Sequence, residues 1–257
     1  MRFSFTTQPA TFLERPNRYL VIVRLHDSGE TVRAHCPDPG RLRELLIPHA
    51  GVVVHVSRAS NADRKTAYDL RFVEHPENGL LISLDSRLPN ALVWEGLLAG
   101  FFTPFENPTA VEREVLVPLE LAPATTGSGE KIRSRIDYRL CDAAGRRCWI
   151  EVKSATLVED GVAYFPDAVT ARGRRHVNEL RLLAALGDRA AVCFIVQRPD
   201  AQLLRPQWDR DPDFSAALAA AEQAGVEIYA YTATITHGAA ELARAIPVET
   251  ARPDTVS

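Results

Sequence analysis

The chain has 257 residues, 46% hydrophobic, 25% charged and 7% aromatic, the proportions of a globular protein with one large domain or two modest ones. The 30 Lys and Arg against 33 Asp and Glu leave a formal charge of -3, which excludes a protein that grips nucleic acid by bulk positive charge alone. No apolar run reaches the roughly 18 to 20 residues of a membrane span, and the opening MRFSFTTQPATFLERPNR lacks a signal-type hydrophobic region, so a cytoplasmic protein without membrane contact is expected.

In chain order, YLVIVRL (19–25) and GVVVHVSRA (51–59) read as strands divided by Asp-Ser-Gly and Pro-Asp-Pro-Gly turn material, and RLRELL (41–46) reads as a short helix. Residues 1–84 are therefore predicted to form a small curled antiparallel sheet, an oligonucleotide-binding (OB) type barrel being one solution. From 85 to 257 the elements mix: a helix over 90–102, strands at 113–119, 134–140 and 147–153, then a helix over 169–186. The strand AVCFIVQ, ending at Gln197, a helix over 212–225 and a strand over 226–235 follow, the order of an α/β sandwich with a mixed sheet. AALAAAEQAGVEIYAY opens like a helix-turn-helix, but its β-branched and aromatic run after Gly225 makes it helix into strand. TTGSGEK (125–131) lacks the spacing of a phosphate loop and is read as a connection, and ETARPDTVS as a frayed tail. No Cys-x-x-Cys pair suggests a dithiol or a zinc site. Residues 1–75 carry 11 basic and 8 acidic side chains, net +3, and residues 199–257 carry 4 and 9, net -5, so a polyanion should approach the amino-terminal part.

The strongest chemical signal lies in SRIDYRL, DAAGRR and CWIEVKSAT. Alternation along a strand puts Glu151 and Lys153 on one face, and the Asp-Ala-Ala-Gly turn folds the preceding strand back so that Asp137 approaches Glu151, with Ile136 and Ile150 on the opposite face. Two carboxylates and an ammonium suit phosphodiester hydrolysis. Asp137 and Glu151 would ligate Mg²⁺ or Mn²⁺, while Lys153 orients or deprotonates a water or offsets developing charge. The same spacing also suits a plain ion-pair cluster at a hairpin.

Glu114 on the strand before and Glu95 in an apolar helix are candidate further acids, each equally readable as a solvated surface carboxylate. On the helix from Thr170, Arg172, His176 and Glu179 share a face. Arg172 and His176 could meet a phosphate, with Arg174 and Arg175 adding positive charge, and Gln197 could bond a phosphate or a water at its strand end. In AHCPDPGRLREL, Asp38, Pro39 and Gly40 precede the short predicted helix, whose first N–H groups and Arg41 could meet a phosphate; a structural turn explains the same letters. The loop SNADRKTAY sets Asn61, Arg64 and Lys65 as backbone contacts and Tyr68 as a ring on which a base could stack.

With these residues in view, a collinear series over residues 12–248 resembles the sugar fermentation stimulation protein family: RPNRYLVIV, AHCPDPGRLRELL, SNADRKTAYDL, LDSRLPNALVWE, SRIDYRL, EVKSATL, FPDAVTARGRRHVNEL and VCFIVQRPD among them. The resemblance implies an amino-terminal OB barrel followed by a restriction-endonuclease-like domain of the PD-(D/E)xK type. Asp137 would then stand as the hairpin aspartate, Glu151 and Lys153 as the E-x-K pair, and Glu95 or Glu114 as the auxiliary acid. The family usually has Asn-Thr-Gly where this chain has Asp38-Pro39-Gly40, which weakens phosphate binding at that turn, and Asn-Pro where it has Asn61-Ala62. The leading expectation is a DNA-binding protein with a Mg²⁺- or Mn²⁺-dependent nuclease centre. The alternatives are a noncatalytic DNA-binding regulator linked to sugar use and an RNA-binding or RNA-processing protein.

Overall fold

The computed structural model describes residues 1–60, 64–121 and 134–253; Asn61 and the 125–131 connection lie outside them. The amino-terminal part is built from β1 (Gln8–Asn17), β2 (Leu20–Leu25), β3 (Thr31–His35), β4 (Val53–Arg58), β5 (Tyr68–Glu74) and the short β6 (Leu81–Ser83). β1 pairs with β2 and β4, β2 with β3 and β4 with β5, all antiparallel, and the parallel contact of β3 with β5 closes a five-stranded barrel. This is the OB arrangement. Closure removes the open edges a five-stranded sheet would expose, and alternation fills the interior with Phe12, Val21, Val23, Val54, Val56 and Leu70.

Residues 41–46 are not the helix their apolar spacing suggested. They form a single turn in which Leu45 and Leu46 N–H groups donate to the Leu42 carbonyl, and Leu42 itself has φ 50°. Leu42, Leu45 and Leu46 are drawn into the barrel core, so packing overrides a helical propensity too short to sustain itself. With no helix there, no helix N-terminus faces a phosphate.

The second part follows in the expected order: α1 (Leu88–Leu98), β7 (Ala110–Leu116), β8 (Arg135–Cys141), β9 (Arg147–Ala155), β10 (Leu157–Glu159), β11 (Val162–Phe165), α2 (Ala171–Ala185), β12 (Arg189–Val196), β13 (Leu203–Pro206), α3 (Pro212–Gln223), β14 (Glu227–Ile235) and β15 (Ala240–Ile246). A six-stranded mixed sheet runs β15-β14-β12-β9-β8-β7, with β9, β12 and β14 parallel and the flanking strands antiparallel; β10, β11 and β13 form a small second sheet. Gly225 ends α3 at φ 91°, a conformation open to glycine, and the chain passes straight into β14. The segment expected to fray is tied down at its start, where Glu249 N–H donates to the Leu204 carbonyl and Thr250 is buried.

Each face of the large sheet has its own core. Trp149, Val192 and Phe194 pack with Val177, Leu180 and Leu183 of α2 and Phe214 and Leu218 of α3. On the other face, Ile150, Val152, Cys193 and Ile195 pack with Leu88, Leu92 and Leu97 of α1, and Phe3, Phe5 and Phe72 of the amino-terminal part join them. At about 1.5–3 kcal/mol for each fully buried large apolar side chain, two such layers supply the stability that lets charged groups be held between them. Among the described residues, no helix is long and apolar enough to cross a membrane.

Candidate functional site

The β8–β9 hairpin turns at Asp142–Gly145, and its antiparallel register runs from Cys141↔Arg147 to Tyr138↔Ile150. Beyond that pair the ladder stops. On the other side of β8, the register with β7 skips from Arg113↔Tyr138 to Val115↔Ile136, and the skipped residue, Glu114, has φ 52°. The register is the same on both sides of it, so no residue is inserted; a non-glycine residue in the left-handed region interrupts the ladder at this point. Ile136 consequently packs with the α2 and α3 core, while Ile150 packs on the α1 side; the expectation that both serve one face is corrected by this break in alternation.

The freed N–H of Val152 donates instead to Asp137 Oδ2 at 2.7 Å, and Asn90 Nδ2 of α1 donates to Asp137 Oδ1 at 2.7 Å. These bonds fix the carboxylate beside β9. Glu151 and Lys153 share the α2 face, and Lys153 Nζ is paired with Glu151 Oε1. His176 Nδ1 stands 2.5 Å from the same oxygen, and because an ionised carboxylate only accepts, Nδ1 carries the proton. Oε2 of Glu151 is buried with no partner.

Burial opposes ionisation of Glu151, but the Lys153 charge and the His176 hydrogen bond outweigh it and bring its carboxyl down to about 2. Asp137 moves the other way, to about 6, because burial and the neighbouring Glu151 charge exceed the help from Val152 N–H and Asn90. Two adjacent carboxyls thus differ sharply, the buried one held ionised and the other ready to hold a proton. Glu179, fully buried with both oxygens unbonded, is raised by burial.

Asp137, Glu151 and Lys153 open into a cleft of about 930 Å³ lined by both parts of the chain. Glu114 and Arg172 reach the same cleft. Glu95 does not: it is half exposed on α1 and pairs with the Met1 amino group at 3.0 Å. Arg174 pairs with Asp213, Arg175 Nε donates to Ser134 Oγ at 2.9 Å, and Gln197 is buried, donating to Ser154 Oγ at 2.9 Å. His176, read as a phosphate or water contact, is a buried support of Glu151. On the barrel, Arg64 pairs with Asp69 at 2.8 Å and Lys65 is exposed. Tyr68 is 5% exposed, with the Arg58 guanidinium 5.3 Å from its ring centre, and so has no free face for a base. Arg41 is exposed and its backbone N–H donates to Asp167 Oδ2 at 2.7 Å, joining the two parts. Gly40 makes that joint possible, since a Cβ there would lie 2.3 Å from Asp167 Oδ2.

Sequence reasoning missed four arginines of the cleft, Arg18, Arg71, Arg87 and Arg113, and the anchor Asn90. Arg18, Arg87 and Asn90 lie within RPNRYLVIV and LDSRLPNALVWE, but no spacing within those segments brings them together; only the docking of barrel on sheet gathers them.

Among the described residues, no three His, Cys, Asp or Glu side chains could enclose a metal ion unaided. The donor set that fits is smaller: Asp137 and the unpartnered Oε2 of Glu151, with waters or substrate oxygens completing the shell, the manner in which Mg²⁺ is usually held. An orphaned buried carboxylate oxygen is the kind of group such a cation satisfies.

An OB barrel docked on a restriction-endonuclease-like α/β domain, with an aspartate, a glutamate and a lysine gathered at their common cleft, defines the class of protein. The profile described as Sugar fermentation stimulation protein RE domain matches residues 87–239, and that of the SfsA N-terminal OB domain matches residues 13–84. The chain belongs to the sugar fermentation stimulation protein family. A sugar fermentation stimulation protein homolog from Moorella thermoacetica is 47% identical over 223 residues, covering 86% of this chain and 88% of that protein. One from Desulforamulus reducens is 40% identical over 240 residues, covering 93% and 91%. Among solved structures, Pyrococcus furiosus SfsA in complex with Ca²⁺ matches with a TM-score of 0.79 and 30% identity, covering 97% of this chain and 98% of that one.

Proposed function

We propose that this protein binds DNA in the cleft between barrel and α/β domain and hydrolyses its phosphodiester backbone with the help of Mg²⁺ or Mn²⁺. The observation that carries the reading is the pairing of half-buried Asp137 with buried Glu151, with Lys153 on the same face and one glutamate oxygen unbonded, opening into a cleft that both domains line. The solved relative in complex with Ca²⁺ supports a divalent cation in this family. A bound cation would supply charge neutralisation at a nonbridging phosphate oxygen and acidify a water.

The chain's own residues do the rest. Asp137 and Glu151 would hold the cation, and Val152 N–H and Asn90 keep Asp137 in place. His176 fixes the rotamer of Glu151 from α2 and leaves Oε2 open. Lys153 Nζ, an ammonium paired with Glu151 Oε1, would orient the attacking water and offset the charge that develops on the phosphate. Arg113 and Arg172, at the cleft wall, meet the flanking phosphates, with Glu114 as the auxiliary acid. Five arginines and Lys153 face six acids along the cleft, a balance that a bound cation would tip towards a polyanion.

The test is incubation of purified protein with single-stranded, duplex and branched DNA in Mg²⁺ or Mn²⁺. Cleavage that disappears in Asp137→Asn, Glu151→Gln and Lys153→Met is the expected result. Absence of cleavage of any substrate, or cleavage indifferent to those substitutions, sinks the assignment, and the first outcome with binding retained favours a noncatalytic regulator.

A further inference from the structure

Tyr19 is 56% exposed, one of the few large rings left in solvent among the described residues. It is not loose. Its N–H donates to Asn17 Oδ1 at 2.9 Å, its carbonyl accepts from Cys36 N–H at 3.0 Å and lies 3.2 Å from His35 Nδ1, and Arg15 pins the preceding residue through the Arg18 carbonyl at 2.8 Å. The ring lies nearly parallel to that of His35, at an interplanar angle of 17° with centroids 6.3 Å apart. A rigid aromatic pair on a tight turn, held by backbone bonds rather than by core packing, presents a π-face at little entropic cost.

The surroundings give that face a direction. On the outside of β2 and β3, Leu20 stands opposite His35, Ile22 opposite Arg33, and Arg24 opposite Thr31, so apolar and guanidinium groups alternate along the strip. Glu14 faces Ile22 from β1. At the other end, Arg18, adjacent to Tyr19 in the chain, lines the cleft that holds Asp137 and Glu151.

We propose that the Tyr19–His35 pair is a base-stacking platform for single-stranded DNA, which runs past Arg24, Arg33 and Arg18 into the cleft. The proposal rests on the reading that DNA enters that cleft, and it narrows the substrate to an unpaired strand or an unpaired end. In a duplex the bases are stacked on one another and offer Tyr19 no free face, whereas in a single strand every base does.

The test is fluorescence-anisotropy titration in EDTA, where no cleavage can occur, using a labelled short oligothymidylate and a hairpin duplex of the same length. Tyr19→Ala should weaken oligothymidylate binding about tenfold or more, with Tyr19→Phe within about twofold of the wild type and duplex binding unmoved. Arg33→Gln should lower the salt dependence of single-strand binding by about one ion. Equal melting temperatures for wild type and Tyr19→Ala guard against a folding defect at this exposed position. Single-strand affinity unchanged in Tyr19→Ala, or an equal loss on both probes, overturns the platform. Because binding is read without metal, a protein that binds through Tyr19 yet cleaves nothing refutes the catalytic reading alone. One that cleaves through Asp137 with KM indifferent to Tyr19→Ala refutes the platform alone.

Discussion

Both walls of the cleft carry an aspartate whose carboxyl is pushed up to about 6, chiefly by burial: Asp137 on the α/β side and Asp38 on the barrel side. Their company differs. Asp137 stands beside an ionised glutamate with an open oxygen and an ammonium on its neighbour. Asp38 closes its own turn by accepting from Gly40 N–H at 2.7 Å. Near it are two further acids, Asp167 and Glu44, and Arg15, whose guanidinium is engaged by the carbonyls of Asp38, Gly40, Arg41 and Arg18. A raised pKa therefore reports burial in both places, and chemistry only where a positive group and unbonded acceptor capacity accompany it.

The sharpest way to break this contrast is kinetic. Asp137→Asn or Glu151→Gln should lower the DNA cleavage rate by roughly 10³-fold, whereas Asp38→Asn should leave it within about threefold. Comparable losses on both walls would show that the distinction is wrong.

Stability tests the Asp38 side of the comparison directly. The folded-state value of Asp38 lies above its unfolded value of 3.8, so the native chain holds this proton more tightly. Its contribution to stability is fully present below about pH 4 and is lost as pH rises through 6. A side-chain amide in its place would keep an acceptor for Gly40 N–H without that loss. Asp38→Asn should therefore be the more stable protein at pH 8, by at most about 3 kcal/mol at about 1.4 kcal/mol per pKa unit, with the advantage fading towards pH 4. Urea unfolding at the two pH values measures it, and an advantage that does not vary with pH would mean that Asp38 is not the group responsible.

Cation binding offers a third separation. A proton on Asp137 competes with a divalent ion, so Mn²⁺ affinity measured by calorimetry should fall about tenfold between pH 7 and pH 5. Asp38→Asn should reproduce that profile. If Asp137→Asn reproduces it as well, the competing proton sits elsewhere.

The same two walls differ in how much of them can be read from the letters. The β8–β9 hairpin is dictated locally: Asp-Ala-Ala-Gly sets the turn, alternation puts Glu151 and Lys153 on one face, and Asp137 falls at the matching height. What alternation could not show is the break in the strand pattern around Glu114 and Asp137, where Glu114 has φ 52°, Ile136 joins the other core and Val152 N–H donates to the Asp137 carboxylate. On the barrel wall, RLRELL has helical spacing but too few residues to nucleate a helix against the demand of the core for three leucines. The support from His176 and the cleft arginines depends on which elements pack together, and no spacing within one element encodes that.

The smallest expected effect concerns the choice between Glu95 and Glu114 as third acid. Glu95 pairs with the Met1 amino group at a half-exposed position outside the cleft, so Glu95→Gln should change stability by no more than about 1 kcal/mol, as surface ion pairs do. Its cleavage rate should remain within about twofold of the wild type, because no reacting group touches it. Glu114 lies on the cleft wall with a backbone conformation that the surrounding strands must hold, and Glu114→Gln should weaken Mn²⁺ binding severalfold while leaving Asp137 anchored. A tenfold loss of rate in Glu95→Gln beside an unaffected Glu114→Gln would exchange the two roles, and would require the amino-terminal segment to swing away from α1 when DNA is bound.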